Sequence, residues 1–83
     1  MDLRRVDLNL LLLVDALLSE GSASRAARRL RLSQPAVSQG LRRARETIGD
    51  PLLLRHGNRL LPTPRAIVLQ PQQRVILQEI ERV

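Results

Sequence analysis

The chain has 83 residues, no cysteine and no aromatic residue, and its 14 basic residues, all arginines, give it a net charge of +6. A chain of this length forms one small domain with a limited core, and the lack of cysteine excludes disulfides and cysteine-based metal sites. The lack of Phe, Tyr and Trp argues against recognition of single-stranded nucleic acid by base stacking.

The first predicted element is a helix that begins after Asp7, a favourable N-cap residue, and runs to about Leu18. Apolar residues recur within it at helical spacing, at Leu10, Leu13, Val14, Leu17 and Leu18. Leu8, Leu11 and Leu12 widen the apolar surface, so we expect this helix to lie at the centre of the core. Its apolar run is far shorter than the roughly 20 residues of a membrane span, and no signal peptide is expected. We therefore expect a cytoplasmic protein with no membrane partner.

The next two predicted helices are joined by a short turn. Ser22 is the expected N-cap of the first, which ends at Leu30 and has small residues on its inner face. Ser33 is the expected N-cap of the second, which runs to about Ile48 and carries Pro35 in its first turn, where the missing amide hydrogen costs nothing. The expected inner faces consist of Ala23, Ala26, Ala27 and Leu30 in the first helix and of Val37, Leu41, Ala44 and Ile48 in the second.

A β-hairpin is predicted after residues 49–51, which stop the preceding helix with Gly-Asp-Pro. Two short apolar strands, residues 52–55 and 59–61, flank a loop at residues 56–58 that contains Gly-Asn. Pro62 is expected to end the second strand.

The last predicted element is a long helix, capped by Thr63 and with Pro64 at its first position. Pro71 lies within this helix and is expected to kink it or to remove one backbone hydrogen bond. Residues on one side recur at alternating steps of three and four, like the seam of a coiled coil, so we predict that a second copy of the chain packs there. The predicted dimer interface consists of Ala66, Leu69, Gln73, Ile76, Ile80 and Val83.

This order of elements is that of a winged helix-turn-helix followed by a linker helix, a mainly α fold with one small β-hairpin. We assign residues 1–63 to a winged helix-turn-helix DNA-binding domain and residues 64–83 to a linker and dimerisation helix. Ala27 is small where the two helices would cross, Leu32 is expected to fill the turn, and Val37 is expected to anchor the recognition helix from beneath. A helical hairpin of a small bundle is the alternative, but a bundle needs neither a Ser-Gln-Pro helix start nor a wing.

The basic residues are concentrated in the part of the chain that would meet double-stranded DNA. Residues 21–50 carry seven arginines and two acidic residues, a net charge of +5, whereas residues 1–20 carry two arginines and four acidic residues, a net charge of −2. Glutamine can form two hydrogen bonds to adenine, proline can contact the methyl group of thymine, and arginine can hold phosphates or enter a narrow minor groove. The candidate DNA-binding residues are Ser33, Gln34, Pro35, Ser38 and Gln39 at the start of the recognition helix, Arg25, Arg42 and Arg43 beside the groove, and Arg55, Asn58 and Arg59 in the wing.

Some candidate residues have a simpler structural explanation. Ser33 and Pro35 also start a helix, and His56 in the wing is explained better by an ordinary surface position than by DNA contact. The other arginines of the two helices are interpreted as solvated charges, namely Arg28, Arg29, Arg31 and Arg45. No catalytic set, zinc site or phosphate-binding glycine loop is recognisable, so neither an enzyme nor a cofactor is predicted. The alternative function is an interaction module, in which the fourth helix mediates assembly and DNA contact is incidental.

Four segments give the chain a resemblance to the N-terminal DNA-binding domain of LysR-type transcriptional regulators. They are residues 21–27 (GSASRAA), 30–38 (LRLSQPAVS), 49–55 (GDPLLLR) and 62–64 (PTP). The Ser-Gln-Pro-Ala-x-Ser core is highly specific, and residues 7–11 (DLNLL) resemble the subgroup that contains the nodulation regulators. The chain departs from the family pattern at Gln39, where many members carry arginine, so the base preference of that contact stays open.

The resemblance implies that Gln34, Pro35 and Gln39 contact bases and that Arg55 contacts DNA from the wing. It also implies a homodimer with antiparallel linker helices, tetramers in a full-length protein, and a bacterial cytoplasmic protein associated with the nucleoid. In the family a C-terminal domain binds a small-molecule effector. That domain is absent from these 83 residues, so we expect an isolated DNA-binding domain.

Overall fold

The computed structural model describes residues 7–83, and within them the chain forms four helices and one antiparallel β-hairpin. The elements in chain order are α1 (Leu8–Glu20), α2 (Ala23–Leu30), α3 (Gln34–Ile48), β1 (Leu53–His56), β2 (Arg59–Pro62) and α4 (Pro64–Glu81). The predicted order of elements and the predicted fold class are confirmed. The helix α1 ends two residues later than expected and β1 begins one residue later. The expectation about a signal peptide falls on residues 1–6, which lie outside the described range.

Each helix begins where the sequence predicts an N-cap, because a short polar side chain accepts a hydrogen bond from an otherwise unpaired backbone amide. Asp7 Oδ1 accepts from the Asn9 amide at 2.9 Å. The hydroxyl oxygens of Ser22, Ser33 and Thr63 accept from the amides three residues ahead at 3.2–3.3 Å. These local bonds fix the start of α3, the predicted recognition helix, at Ser33.

The ends of α1, α2 and α3 all rest on a residue in the left-handed conformation. Gly21 and Gly49 take this role after α1 and α3, with φ of 66° and 74°, where glycine has no Cβ to clash. Arg31 takes it after α2 with φ 57°, a conformation that costs an L-residue roughly 1–2 kcal/mol. The Leu32 amide donates to the Ala27 carbonyl at 2.9 Å and closes this turn.

The helix α1 lies at the centre of the fold, as predicted, and packs against α2, α3 and α4. The buried apolar residues are Leu13, Val14, Ala16, Leu17, Ala26, Ala27, Val37, Ala44, Leu52, Leu53 and Ala66. Three leucines depart from expectation. Leu8 and Leu12 are 48% and 44% exposed, because they lie one turn apart on the outward side of α1, and Leu32 is 46% exposed. The Leu32 side chain therefore does not fill the α2–α3 turn, which its backbone closes instead.

Gly40, in the middle of α3, marks the place where α3 crosses α1. A Cβ atom built on Gly40 would collide with Leu13 Cδ2 and would lie 3.9 Å from Leu10 Cδ2. Glycine in a helix interior costs about 0.5–1 kcal/mol relative to alanine. The close approach of the two helices therefore explains a residue that helix propensity alone disfavours.

The strands of the hairpin pair from Leu53–Pro62 to His56–Arg59, so the turn consists of Gly57 and Asn58 alone. His56 was expected in the loop but belongs to β1, because the positive φ of Gly57 (65°) allows the tighter turn. Pro62 lies at the end of β2, as predicted.

Two hydrogen-bonded ties hold the hairpin against the helices. The Leu60 amide donates to the Gly21 carbonyl in the α1–α2 turn at 3.0 Å. From α3, the Arg45 guanidinium donates to the carbonyl of Pro51 at 2.7 Å and to that of Leu53 at 2.8 Å. The hairpin is therefore positioned from both sides.

The helix α4 packs against α1, and this changes the predicted dimer seam. Ala66 and Gln73 are only 1% and 5% exposed within the single chain. Their assignment to an interface with a second copy is corrected, because the core of their own chain already covers them. The helix continues through Pro71, whose missing amide hydrogen leaves the Ile67 carbonyl without its usual helical donor.

Candidate nucleic-acid interface

The first two turns of α3 present polar side chains around a buried anchor. The exposed residues here are Ser33, Gln34, Pro35, Ser38 and Gln39, which we call the recognition row. Val37 is 1% exposed and packs into the core. The structure thus brings the candidate base-reading residues together and holds them from beneath through Val37. The Ser33 hydroxyl is engaged as the cap of α3 through the Ala36 amide.

The arginines of α2 and α3 differ in what they contact. Arg25 and Arg42 are exposed and form no ion pair with any of residues 7–83. Arg43 is 64% exposed at its side chain, and its Nη2 lies 3.6 Å from Asp7 Oδ2. A surface pair of this kind stabilises little, so three predicted phosphate-binding arginines remain accessible.

Arg29 and Arg45, interpreted from the sequence as solvated charges, bind their own chain. Arg29 lies 3.8 Å from Asp15 and 3.6 Å from Glu20. Arg45 ties α3 to the base of the wing through the two carbonyls described above. The sequence showed no sign of the Arg45 role, because its acceptors are main-chain atoms six and eight residues away.

The two arginines of the wing lie on opposite faces of the hairpin. Arg55 pairs across the strands with Leu60, and Arg59 pairs with His56 on the next rung. Successive residues of a strand point to opposite faces, so Arg55 and Arg59 point apart. Both are exposed, as is Asn58 in the turn. The structure therefore brings Asn58 and Arg59 to the wing tip but places Arg55 on the other side.

Asp50 joins the wing to α4. Its Oδ2 accepts from the Thr63 hydroxyl at 2.7 Å and from the Leu52 amide at 2.8 Å. The hydrogen bond from Thr63, then that from Leu52, lowers the pKa of the Asp50 carboxyl below its usual value. Its ionised form therefore contributes stability above the ordinary aspartate pKa, and this contribution is lost as the pH falls through the lowered value. Sequence reasoning treated Asp50 only as part of a helix stop, since Thr63 is thirteen residues away.

An open cleft of about 450 Å³ lies between the α1–α2 turn and the tip of the hairpin. We call it the wing cleft. It is lined by Glu20, Gly21, Ser22, Arg25, Asn58 and Arg59. Arg25, Asn58 and Arg59 were candidates from the sequence. The tertiary fold brings them close to Glu20, and no local sequence pattern indicates this proximity.

Residues 7–83 contain neither a membrane-spanning helix nor a cluster of metal-ligating side chains. No helix there is both long and apolar enough to cross a membrane. No group of three potential metal-ligating side chains occurs in the same part of the chain.

A recognition helix with an exposed polar start, packed on a second helix and flanked by a basic hairpin, defines a winged helix-turn-helix DNA-binding domain. The model of the family described as bacterial regulatory helix-turn-helix protein, LysR family, matches residues 8–67. The chain therefore belongs to the LysR family, whose members are DNA-binding transcriptional regulators and not enzymes. The resemblance drawn from the sequence is confirmed.

Curated relatives place the chain near the nodulation regulators. It is 47% identical over 81 residues to nodulation protein D 2 of Rhizobium meliloti (strain 1021), covering 98% of this chain and 26% of that protein. It is 44% identical over 80 residues to nodulation protein D 1 of Bradyrhizobium japonicum, covering 96% of this chain and 25% of that protein. The chain thus spans about a quarter of the length of these relatives.

Solved structures of similar fold include transcriptional regulators, one of them in complex with DNA. A probable transcriptional regulator from Pseudomonas aeruginosa superposes with a TM-score of 0.92 and 42% identity, over 96% of this chain and 27% of that one. The BenM DNA-binding domain in complex with catB site 1 DNA superposes with a TM-score of 0.87 and 25% identity, over 93% of this chain and 86% of that one.

Proposed function

We propose that this domain binds specific sequences of duplex DNA as a dimer, in the service of transcription regulation. In this proposal α3 enters the major groove and the hairpin contacts the flanking backbone or minor groove. The observation that carries it is the recognition row, an exposed set of polar side chains held over the buried Val37. The similar fold of a BenM domain that is in complex with DNA supports DNA binding by this fold.

Within the recognition row we assign base reading to Gln34, Pro35 and Gln39. Gln34 is exposed in the first turn of α3, where its amide can pair with the N6 and N7 atoms of adenine. Pro35 offers an apolar surface to a thymine methyl group. Arg42 and Arg43 lie further along the same helix and supply charge for phosphates.

The proposal predicts a steep dependence of binding on salt. Each phosphate that the protein neutralises lowers the slope of log affinity against log salt by about 0.9. The three accessible arginines of α2 and α3 and the two of the wing should therefore give a slope of about −3.6 to −4.5 on a random-sequence duplex, the values for four and five neutralised phosphates. The measurement is a fluorescence anisotropy titration at several salt concentrations. A flat dependence would contradict DNA binding and would support the alternative of an interaction module.

The uncharged variant Gln34→Ala is the matched control in that titration. It should keep the salt slope and the affinity for random-sequence DNA. On a site first selected from random DNA it should lose roughly 1–3 kcal/mol, because the adenine edge loses its partner. An equal loss on both duplexes would show that Gln34 does not read bases.

The dimer interface of the proposal lies on the exposed apolar side of α4. Ile76, Ile80 and Val83 are exposed and recur at steps of four and three, and Leu69 precedes them half-buried. This side adjoins the buried side that Ala66 and Gln73 form with their own chain. Exposed apolar stripes on a helix are suited to pairing with a second copy. For a full-length protein that contains this domain, we further propose assembly into tetramers, a C-terminal domain that binds a small-molecule effector, and a location in the bacterial cytoplasm.

We predict that Ile76→Asp shifts the protein from dimer to monomer in sedimentation velocity at micromolar concentration. A carboxylate in the apolar interface would lose its hydration without gaining a partner. Gln78→Asp is the matched control, because Gln78 is exposed on the other side of the same helix. A dimer that persists in Ile76→Asp would place the interface elsewhere, as would equal dissociation by both variants.

A further inference from the structure

We propose that the wing cleft holds one phosphodiester group of the DNA backbone between Arg25 and Arg59. This inference rests on the proposed function and deepens it, since it names the part of the DNA that this cleft takes. The sequence places Arg25 and Arg59 in separate elements and gives no reason to join them. The structure places both on the walls of the same cleft.

The wing cleft is built on a fixed scaffold. The hydrogen bond from the Leu60 amide to the Gly21 carbonyl, at 3.0 Å, ties β2 to the α1–α2 turn. Gly21 approaches the hairpin so closely that an added Cβ would lie 3.6 Å from the Leu60 carbonyl oxygen. Arg59 is adjacent to Leu60, and Arg25 lies in the first turn of α2. The bases of the two arginines are therefore held at a set separation before any ligand arrives.

The charges and hydrogen-bond donors of the wing cleft suit a phosphate group. Arg25 and Arg59 are exposed and form no ion pair with any of residues 7–83. Asn58 and Ser22 add neutral donors. Guanidinium groups suit phosphate oxygens because they offer several N–H donors in one plane. An open cleft of about 450 Å³ suits a group on a continuous strand better than a small enclosed ligand.

Glu20 is the one acidic residue of the cleft, and it makes the proposal easier to test. Its Oε2 lies 3.6 Å from Arg29 Nη1, and Arg29 is not a cleft residue. The pair compensates the Glu20 charge only in part, since it is exposed to solvent. A phosphate in the cleft would still be repelled by Glu20. Removing this negative charge should therefore raise the affinity for DNA, whereas removing either arginine should lower it.

Arg55 lies on the opposite face of the hairpin from Arg59 and therefore does not belong to the wing cleft. Since Arg55 shares a rung with Leu60 and Arg59 shares one with His56, the two side chains leave opposite faces of the hairpin, and we assign them to different phosphates. Arg55 is thus left for the contact that the family resemblance implies. Arg59 is assigned to a second, sequence-independent contact on the other side of the wing.

The test measures binding of the 83-residue chain to a random-sequence duplex at several salt concentrations. We expect Arg25→Ala and Arg59→Ala each to weaken binding roughly tenfold. The double variant should bind little more weakly than either single variant, and its salt slope should be shallower than that of the wild type by about 0.9, the value for one phosphate. Glu20→Gln should tighten binding by about two- to fivefold. The control is Arg82→Ala, which removes the same charge at the far end of α4, where the Arg82 guanidinium pairs with Glu79.

Each other outcome has a definite meaning. A wild-type chain with no salt-dependent binding would overturn the proposed function and this inference together. Steep wild-type binding that neither Arg25→Ala nor Arg59→Ala changes would overturn this inference alone. Additive losses with a slope change of about 1.8 would show two separate phosphates and would also overturn the single site. Thermal unfolding of each variant shows whether a loss of affinity comes from misfolding. The tighter binding expected for Glu20→Gln is a second check, because misfolding would not raise the affinity.

Discussion

Leu52→Ala is expected to destabilise the domain by about 2–5 kcal/mol, the range for removal of a fully buried leucine side chain. Leu52 is completely buried, and it lies between the end of α3 and the start of the hairpin. Its amide binds Asp50 and its carbonyl accepts from the Thr63 amide at 2.9 Å. These backbone bonds survive the substitution, so the loss measures side-chain packing. Urea unfolding, followed by circular dichroism, gives the free energy of unfolding.

Leu52→Gly should be no less stable than Leu52→Ala. Glycine is normally worse than alanine by about 0.5–1 kcal/mol, but Leu52 has φ +66°. A left-handed conformation costs an L-residue roughly 1–2 kcal/mol, and glycine is free of this cost. The matched control is Leu54→Ala, since Leu54 is 55% exposed two residues on; it should stay within about 0.5 kcal/mol of wild type. A glycine variant clearly weaker than the alanine variant would contradict a strained backbone at this position.

Strain at Leu52 illustrates which parts of the fold the sequence could not predict. All four N-caps were predictable, because the capping side chain and the backbone amide that donates a hydrogen bond to it are two or three residues apart. The left-handed turns at Gly21 and Gly49 were predictable for the same reason. Arg31 and Leu52 adopt that conformation without being glycine. There the surrounding hydrogen bonds and packing override the local preference, and no nearby residue signals it.

The candidate site likewise has a part that the sequence predicts and a part that it does not. The recognition row could be read from one short segment, since the cap, the proline and the anchor Val37 all belong to it. The wing cleft could not, because Gly21 and Leu60 meet only through a tertiary hydrogen bond. Arg45 and Asp50 were missed as positioning residues because their partners lie beyond the range of helical spacing.

The helix α4 shows a different limit. Its heptad-like spacing combines residues that face their own chain, such as Ala66, with residues that remain exposed, such as Ile76. Periodicity identifies an apolar side of a helix, but it does not tell whether a neighbouring helix belongs to the same chain or to another. Gln73 lies on the covered side of this pattern, so its burial follows from contact with α1 and not from a dimer.

Gln73→Met should stabilise the domain by about 1–3 kcal/mol. Gln73 is 5% exposed, and neither its Oε1 nor its Nε2 finds a hydrogen-bond partner among the residues that the structure describes. A buried polar group without a partner costs about 1–3 kcal/mol, whereas methionine has a similar length and fills the same space with apolar atoms. The adjacent Gln72→Met is the matched control; Gln72 is exposed, so its replacement should change the free energy of unfolding by no more than about 0.5 kcal/mol.

The effect of Gln73→Met on the stability of the single chain, compared with its effect on the dimer, shows which of the two Gln73 influences. Urea unfolding at two protein concentrations separates the stability of the single chain from that of a dimer, because only the latter depends on concentration. Destabilisation by Gln73→Met would mean that the amide has a partner such as an ordered water, and the expected gain would be wrong. Stabilisation of the single chain with an unchanged dissociation constant of the dimer would agree with a Gln73 side chain that faces α1 of its own chain. A weaker dimer in Gln73→Met would instead extend the dimer interface to the covered side of α4.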